Sequence, residues 1–402
     1  MPRHRLCFVV SSPMTVAAFL APHISRVAKD CRVTVVANYD GKPPPPALLG
    51  VATFLDVPIE RKVRLLRDLR AFFVLTSIFR RERFDLVSSV TPKAGLLAML
   101  AARVACIPHR IHTFTGQVWV TRSGISRWFL KWADRCVALM ASRVLVDSPS
   151  QREFLVSESI VADTKASVIA DGSISGVNLT RFRPDSGARD ALRRDLGIPA
   201  DDVVVIYVGR LDRDKGVLDL AEAFACLDRK CTSRVRLLVV GPDEAGLTQL
   251  MRSRCAVAGD RVHFVGFTSA PQKHLAAADI FCLPSYREGF GSSIIEAAAV
   301  GLPSVASRIY GITDAVVDGE TGLLHTPRDV GDLTAKLERI VEDAELRPKV
   351  HKSIAGGSTR KTHDSLYFRP DFHKAFKSLC IVGFEGRHLI DDHHIEVKRE
   401  IA

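Results

Sequence analysis

Glu288 and Glu296 are separated by seven residues in the segment YREGFGSSIIEAAAVG, residues 286–301, with Gly289, Phe290 and Gly291 directly after the first of them. Residues 292–299 have helical composition, which puts Glu296 near the second turn of a helix. Glycines just ahead of a helix let the backbone approach a ligand closely, and the helix's first amides and dipole favour phosphate. Carboxylates are poor phosphate ligands but good acceptors for hydroxyls, so a polyhydroxylated phosphate ester such as a nucleotide sugar suits this arrangement. A second cluster, GRLDRDKG at residues 209–216, supplies Gly209, Arg210 and Lys215 after a strand-like run. Two cations on one strand-to-helix turn can both reach a diphosphate, and arginine can do so in bidentate fashion. Taken singly, the glutamates read equally well as surface charges and the cations as solvated loop charges. Taken together they form one coherent site.

The elements that must position these residues follow from hydropathy. Residues 6–11, 32–37, 84–90, 110–115, 143–147 and 166–170 are short apolar runs of strand length, with helical spacing over 15–29, 95–105 and 126–141. After a polar stretch rich in proline and glycine the pattern restarts, with strand-like runs at 203–208, 236–240, 262–265, 280–283 and 303–306. Such alternation implies α/β architecture: two Rossmann-like parallel-sheet domains facing each other across a cleft. The expected division is 1–178 for an acceptor-binding domain, 179–200 for a linker, 201–350 for a nucleotide-sugar domain and 351–402 for an atypical tail. Neither unit has G-x-G-x-x-G after its first strand, so a nicotinamide or flavin site is not expected.

At this point the second half resembles the retaining GT-B glycosyltransferases with an E-x7-E signature, usually called family 4. The matching parts are GRLDRDKG at 209–216, VVGPDE at 239–244, HFVGF at 263–267, the E-x7-E segment with its continuation through Pro303, and VVDGETGLL at 316–324. The resemblance implies that Arg210 and Lys215 hold the donor diphosphate and that Glu288 binds hydroxyls of the donor sugar. It implies backbone contacts from Gly209, Gly289, Phe290 and Gly291, ribose contacts from Glu296, and a base held near Gly266 and Phe267. Cations and helix amides would stabilise the growing charge on the leaving diphosphate, so no metal and no other cofactor is expected.

In the first half, SVTPKAGL at 89–96 places Lys93 near a helix N-terminus, and RIHTFTGQVWVTR at 110–122 contains His112, Thr115, Gly116 and Gln117. Both segments follow strands, so both should face the cleft. They resemble the subgroup that extends undecaprenyl-diphosphate-linked sugars, including N-acetylhexosaminyltransferases. That resemblance implies an acceptor site at Lys93, Thr115, Gly116 and Gln117. Many members carry a histidine where this chain has Thr115. His112 is the candidate catalytic replacement, with a partly buried strand histidine as its alternative, and it is expected on the opposite strand face from Phe114.

Residues 1–180 hold 24 Lys and Arg against 13 Asp and Glu, whereas the remainder holds 32 of each, so the whole net charge of +11 lies in the first half. An anionic partner is expected there. Residues 61–83, bounded by Arg61 and Arg83, carry eight basic and two acidic residues interleaved with Leu65, Leu66, Leu69, Phe72, Phe73, Ile78 and Phe79. A basic amphipathic helix of this kind can lie on an anionic membrane; a helix packed on the domain with its charges in water is the alternative. No nucleic-acid recognition module accompanies the charge, so nucleic acid is not an expected partner. No apolar run reaches the roughly 18 residues needed to span a bilayer, and the polar break at Ser11, Ser12 and Pro13 argues against a signal peptide. Nine scattered cysteines without a C-x-x-C pair fit a reducing cytoplasm.

The function that these residues and the resemblance together imply is transfer of a hexose or N-acetylhexosamine from a nucleoside-diphosphate sugar, UDP first, to a lipid-diphosphate-linked saccharide, by an enzyme peripheral to the inner face of the plasma membrane. A nucleotide-sugar 2-epimerase and an inactive donor-binding or scaffolding relative are the alternatives. The histidine-rich tail, with Asp391, Asp392, His393 and His394 adjacent, lacks the helical pattern expected of a segment crossing back to the first domain.

Overall fold

The computed structural model describes residues 4–60, 63–231 and 234–343; the tail from 351 to 402 lies outside the described residues. Runs of valine, isoleucine and leucine without polar alternation predict strands covered on both faces, and the chain uses them in two wholly parallel sheets. The first contains β1 (Arg5–Val9), β2 (Arg32–Ala37), β3 (Thr53–Asp56), β4 (Leu86–Val90), β5 (His109–Phe114), β6 (Arg143–Val146) and β7 (Ala166–Val168), in the spatial order β3-β2-β1-β4-β5-β6-β7. The second contains β8 (Val203–Val208), β9 (Val235–Val240), β10 (Val262–Gly266), β11 (Ile280–Leu283), β12 (Ser304–Ser307) and β13 (Gly322–His325), in the order β10-β9-β8-β11-β12-β13. In each sheet the order reverses beside the first strand, and the loops leaving the strands' carboxyl ends open a crevice there.

Two apolar layers sandwich the first sheet. On one side Leu75, Phe79, Met99 and Val137 come from the helices Leu65–Glu82, Pro92–Val104 and Gly124–Met140; on the other, Ile24 and Val27 come from the helix Ala21–Val27. The second sheet shares one continuous core with its helices, including Phe224, Phe281, Ile295 and Leu337. The stretch expected as a linker includes a helix, Ser186–Asp195, started by the Asp185 side chain accepting from the Ala188 amide. Arg189 and Arg193, one turn apart, both bind the Asp279 carboxylate at 2.7 Å, which fixes this helix to the second unit.

The two units touch across the crevice. Ser150 donates its amide to Asp314 at 3.0 Å and accepts from the Gly311 amide at 2.7 Å. Tyr310 stacks on Phe154 with ring centroids 4.5 Å apart and accepts from the Gln117 amide. Arg287 donates to the Gly116 carbonyl at 3.2 Å.

Candidate functional site

The second sheet delivers its site residues from the ends of four adjacent strands. Beyond β8 the chain runs through Gly209, Arg210 and Leu211 into a single helical turn, Arg213–Lys215. Asp212 starts that turn by accepting from the Asp214 amide at 2.9 Å. Beyond β11, residues 284–291 lead into the helix Ser292–Val300, which begins at Gly291 in the left-handed region. These two turns meet: Lys215 Nζ lies 2.5 Å from Glu288 Oε1, and the Ser285 hydroxyl donates to the same oxygen at 2.8 Å. Arg210 sits on the same turn and binds Glu244 at 2.9 Å. Each cation is thus balanced by a carboxylate, and a diphosphate is the kind of ligand able to replace it. Asp212 and Asp214 do not neutralise these cations. Asp214 instead binds Arg287 at 2.8 Å. Burial pushes the Asp214 carboxyl up, but the hydrogen bond and charge of Arg287 outweigh it and leave the group below the ordinary carboxylate range.

Glu296 lies on the second turn of the helix Ser292–Val300, where burial pushes its carboxyl up to about 7 against the opposing charge of Arg181. Gly266 closes β10, its carbonyl accepting from the Gly241 amide at 2.8 Å, and Phe267 beyond it is exposed. An exposed aromatic ring beside this strand edge can stack on a planar base.

The first sheet treats its expected residues less uniformly. Gly116 abuts the donor loop directly, since a Cβ there would lie 3.2 Å from the Glu288 Cα. The Thr115 carbonyl accepts from Gln117 Nε2 at 2.9 Å and from Gln151 Nε2 at 2.7 Å. Gln117 is buried, its side chain used within the first unit, so it does not offer an amide to an acceptor in this arrangement. Lys93 lies at the start of the helix Pro92–Val104, bound to Asp68 at 2.5 Å.

His112 is corrected outright. It is 1% exposed, its Nδ1 is 2.8 Å from the Ser89 hydroxyl, and its ring fills the space that a side chain at position 95 would need. Burial pushes its imidazole down to about 3, so it is a neutral core residue away from the cleft. Nor does it oppose Phe114: their rings meet edge to face, with centroids 4.6 Å apart. Residues two apart on a strand share a face, which is the physical reason.

Sequence reasoning missed Asp147, directly after β6. Its Oδ2 lies 2.5 Å from where a Cβ on Gly289 would sit, and its Oδ1 has no protein hydrogen-bond partner. Burial pushes its carboxyl up to about 7; the Glu288 charge adds to this and a backbone hydrogen bond from Ile174 opposes it. Only its place at a strand's carboxyl end marked it in advance. The sign of its pH dependence follows. Below the ordinary carboxylate pKa the folded and unfolded chains both hold this proton; as pH rises the unfolded chain releases it first, and the contribution to stability falls until about pH 7. His112 acts in the opposite sense over lower pH, so the effect is best read as a difference. We expect Asp147→Asn to melt progressively higher relative to the wild type as pH is raised from 5 to 8, measured by thermal unfolding; a constant offset contradicts the assignment.

Comparison with known proteins adds to this geometry. Residues 188–355 match the family model "Glycosyl transferases group 1", and residues 25–172 match "Glycosyl transferase 4-like domain". The chain belongs to the group 1 glycosyltransferases of the GT-B fold. This glycosyltransferase is 28% identical over 301 residues to the capsular polysaccharide biosynthesis glycosyltransferase CapM of Staphylococcus aureus, covering 73% of the chain and 77% of CapM. It is 27% identical over 300 residues to the UDP-Gal:alpha-D-GlcNAc-diphosphoundecaprenol alpha-1,3-galactosyltransferase of Escherichia coli, covering 74% of the chain and 76% of that enzyme. A D-inositol 3-phosphate glycosyltransferase 2 of Catenulispora acidiphila is 36% identical, over 50% of this chain and 54% of its own. Among solved structures, Anabaena HepE in complex with UDP and glucose shares the fold, with a TM-score of 0.74 at 18% identity over 94% of this chain and 99% of that one.

Proposed function

We propose that this glycosyltransferase moves a hexose or N-acetylhexosamine from a nucleoside-diphosphate sugar, UDP first, to a lipid-diphosphate-linked saccharide, with retention at the anomeric carbon. The observation that carries the reading is the meeting of Lys215 and Glu288 at 2.5 Å beside the N-terminus of the helix Ser292–Val300. It puts a phosphate-binding cation, a hydroxyl-accepting carboxylate and helix amides around one point.

In this reading the bond from the anomeric carbon to the diphosphate oxygen breaks and its electron pair leaves with the diphosphate. Lys215, Arg210 and the first amides of the helix hold the charge that grows there, and this is where transition-state stabilisation exceeds ground-state binding. The acceptor hydroxyl attacks from the face the diphosphate leaves, and its proton passes to a diphosphate oxygen. Glu288 orients the donor sugar through its hydroxyls, Glu296 accepts from the ribose, and Phe267 flanks the base. Charge on the leaving group is assigned to side chains and amides, without a divalent metal. Asp147 borders the sugar position from the first unit.

Similarity to the Escherichia coli galactosyltransferase and to a Campylobacter jejuni N,N'-diacetylbacillosaminyl-diphospho-undecaprenol alpha-1,3-N-acetylgalactosaminyltransferase, 27% identical over 299 residues, supports the lipid-linked acceptor. Lys93 is the proposed contact for the acceptor diphosphate, and Thr115 and Gly116 flank its path. The helix within the segment from Arg61 to Arg83 is a proposed contact with an anionic membrane at the inner face of the plasma membrane; Arg61 itself lies outside the described residues.

The test is incubation with radiolabelled UDP-sugars and either lipid-diphosphate-linked saccharide or inositol 3-phosphate. Label in the lipid fraction supports the reading. Label in inositol phosphate, or a sugar isomer formed without any acceptor, contradicts it.

A further inference from the structure

The helix Gly124–Met140 has two apolar sides. One, with Val137 and Ala138, is buried on the first sheet. The other comprises Ile125, Trp128, Phe129, Trp132 and Leu139, which at 100° per residue fall within a stripe about 100° wide. All five are exposed, Ile125 at 86%, Trp128 at 66% and Leu139 at 78%. The helix's one carboxylate, Asp134, is turned inward, accepting from Trp119 Nε1 at 2.9 Å. The helix therefore offers solvent an apolar stripe with no acid of its own; to one side of it Arg135 binds the Glu158 and Ser159 carbonyls, Lys131 is bound to the Glu158 carboxylate, and Arg127 lies over the Trp119 ring.

A second stripe lies nearby. The helix Pro92–Val104 packs against both Gly124–Met140 and Leu65–Glu82, and the first half of the latter exposes Leu65, Leu66, Leu69 and Phe73 on one side. Its second half is different: Ile78 and Phe79 are buried in the domain core. Between residues 61 and 143 the sequence holds 16 Lys and Arg against four Asp and Glu. All three helices start from the carboxyl ends of the strands, at the crevice edge. Lys93, bound to Asp68 of the helix Leu65–Glu82, therefore sits at the crevice end of this face.

Large apolar side chains exposed in this number along neighbouring helices mark an interaction surface. Charge decides what covers it. A two-fold pairing through this face would set two strongly basic surfaces against each other, and the second half of the chain carries no net negative charge to draw it. Paired exposed tryptophans on a strongly basic unit suit the headgroup region of an anionic bilayer, where the ring is buried and the indole N–H stays wet. We propose that this face, centred on the helix Gly124–Met140, docks on anionic lipid, with Ile125, Trp128 and Trp132 entering the interface and Leu65, Leu66 and Leu69 as the second point of contact. It extends the proposed membrane contact beyond the segment from Arg61 to Arg83 and makes the tryptophan helix its main anchor.

The full chain is tested by sedimentation with vesicles of phosphatidylcholine alone and of phosphatidylcholine with phosphatidylglycerol, without donor or acceptor. Binding to the mixed vesicles, weakened by salt, with a blue shift in tryptophan emission is expected. Trp119, the third tryptophan, is buried, so the shift belongs to Trp128 and Trp132. Ile125→Ser with Trp128→Ser removes two highly exposed side chains and should leave the melting temperature unchanged. It should weaken partitioning by at least about 10-fold, because two large apolar side chains no longer enter the interface. Wild-type protein that ignores the mixed vesicles, a variant that binds as well as the wild type, or a dimer in vesicle-free solution that the substitutions dissociate would each overturn the proposal. The vesicles contain no lipid-linked saccharide, so absent transfer with intact vesicle binding sinks the acceptor reading alone, and the converse sinks the docking face alone.

Discussion

Lys215→Ala is expected to lower kcat/KM for sugar transfer by about 10³-fold or more while the protein stays folded. Removing one preorganised donor aimed at developing negative charge costs on the order of 10²–10³ in rate. Lys215 carries a full charge, and its loss has a second effect. Glu288, largely buried and 2.5 Å from the ammonium, would keep the Ser285 hydroxyl but lose its counter-charge, leaving a carboxylate uncompensated where the diphosphate must sit. Lys215→Arg keeps the charge but cannot reproduce a contact built for a compact ammonium, so intermediate activity is expected. Initial rates with a radiolabelled donor and thermal melts on the same preparations check this. Transfer near the wild-type rate in Lys215→Ala would remove the donor-site assignment.

Gly216→Ala is expected to damage both stability and transfer. Gly216 adopts φ +65°, and a Cβ there would lie 1.9 Å from the Pro284 carbonyl oxygen. The left-handed conformation alone costs a non-glycine residue about 1–2 kcal/mol. The overlap adds more, because Pro284 opens the loop that carries Glu288 and the two turns cannot remain in contact. Gly246 in the same unit supplies the control: φ is +68° but nothing lies within 4 Å of the added atom. Thermal unfolding should show a drop of many degrees for Gly216→Ala, with transfer lost, and a small drop for Gly246→Ala with transfer retained. Equal losses in the two variants would show that backbone conformation, not the fit between the two turns, sets the effect.

Much of this was legible in the sequence, and for definable reasons. Continuous apolar runs such as residues 203–208 and 280–283 match β8 and β11 residue for residue, because a strand covered on both faces leaves no polar alternation to blur it. The two missed strands, β3 and β13, have four residues each; β3 is a partly exposed sheet edge and β13 begins with a glycine. The meeting of Lys215 and Glu288 was foreseeable because each lies on a short segment leaving the end of one of two adjacent strands, where sequence spacing nearly fixes spatial spacing. Asp147 could not, since its meaning comes from a glycine 142 positions away on the other unit. His112 misled because its place on a strand before a cleft loop looks the same from the sequence whether the ring faces the crevice or the helix above it. The exposed side of the helix Gly124–Met140 was equally hidden: periodicity reveals that a helix has apolar stripes, while only packing reveals which of them is covered.

The account rests on where the diphosphate binds, and a crystal structure of the protein soaked with uridine diphosphate tests that most directly. The predicted result is a diphosphate within hydrogen-bonding reach of Lys215 Nζ, the Arg210 guanidinium and the first amides of the helix Ser292–Val300, with the ribose at Glu296. A nucleotide lodged against the first sheet instead, with the contact between Lys215 and Glu288 undisturbed, would contradict it.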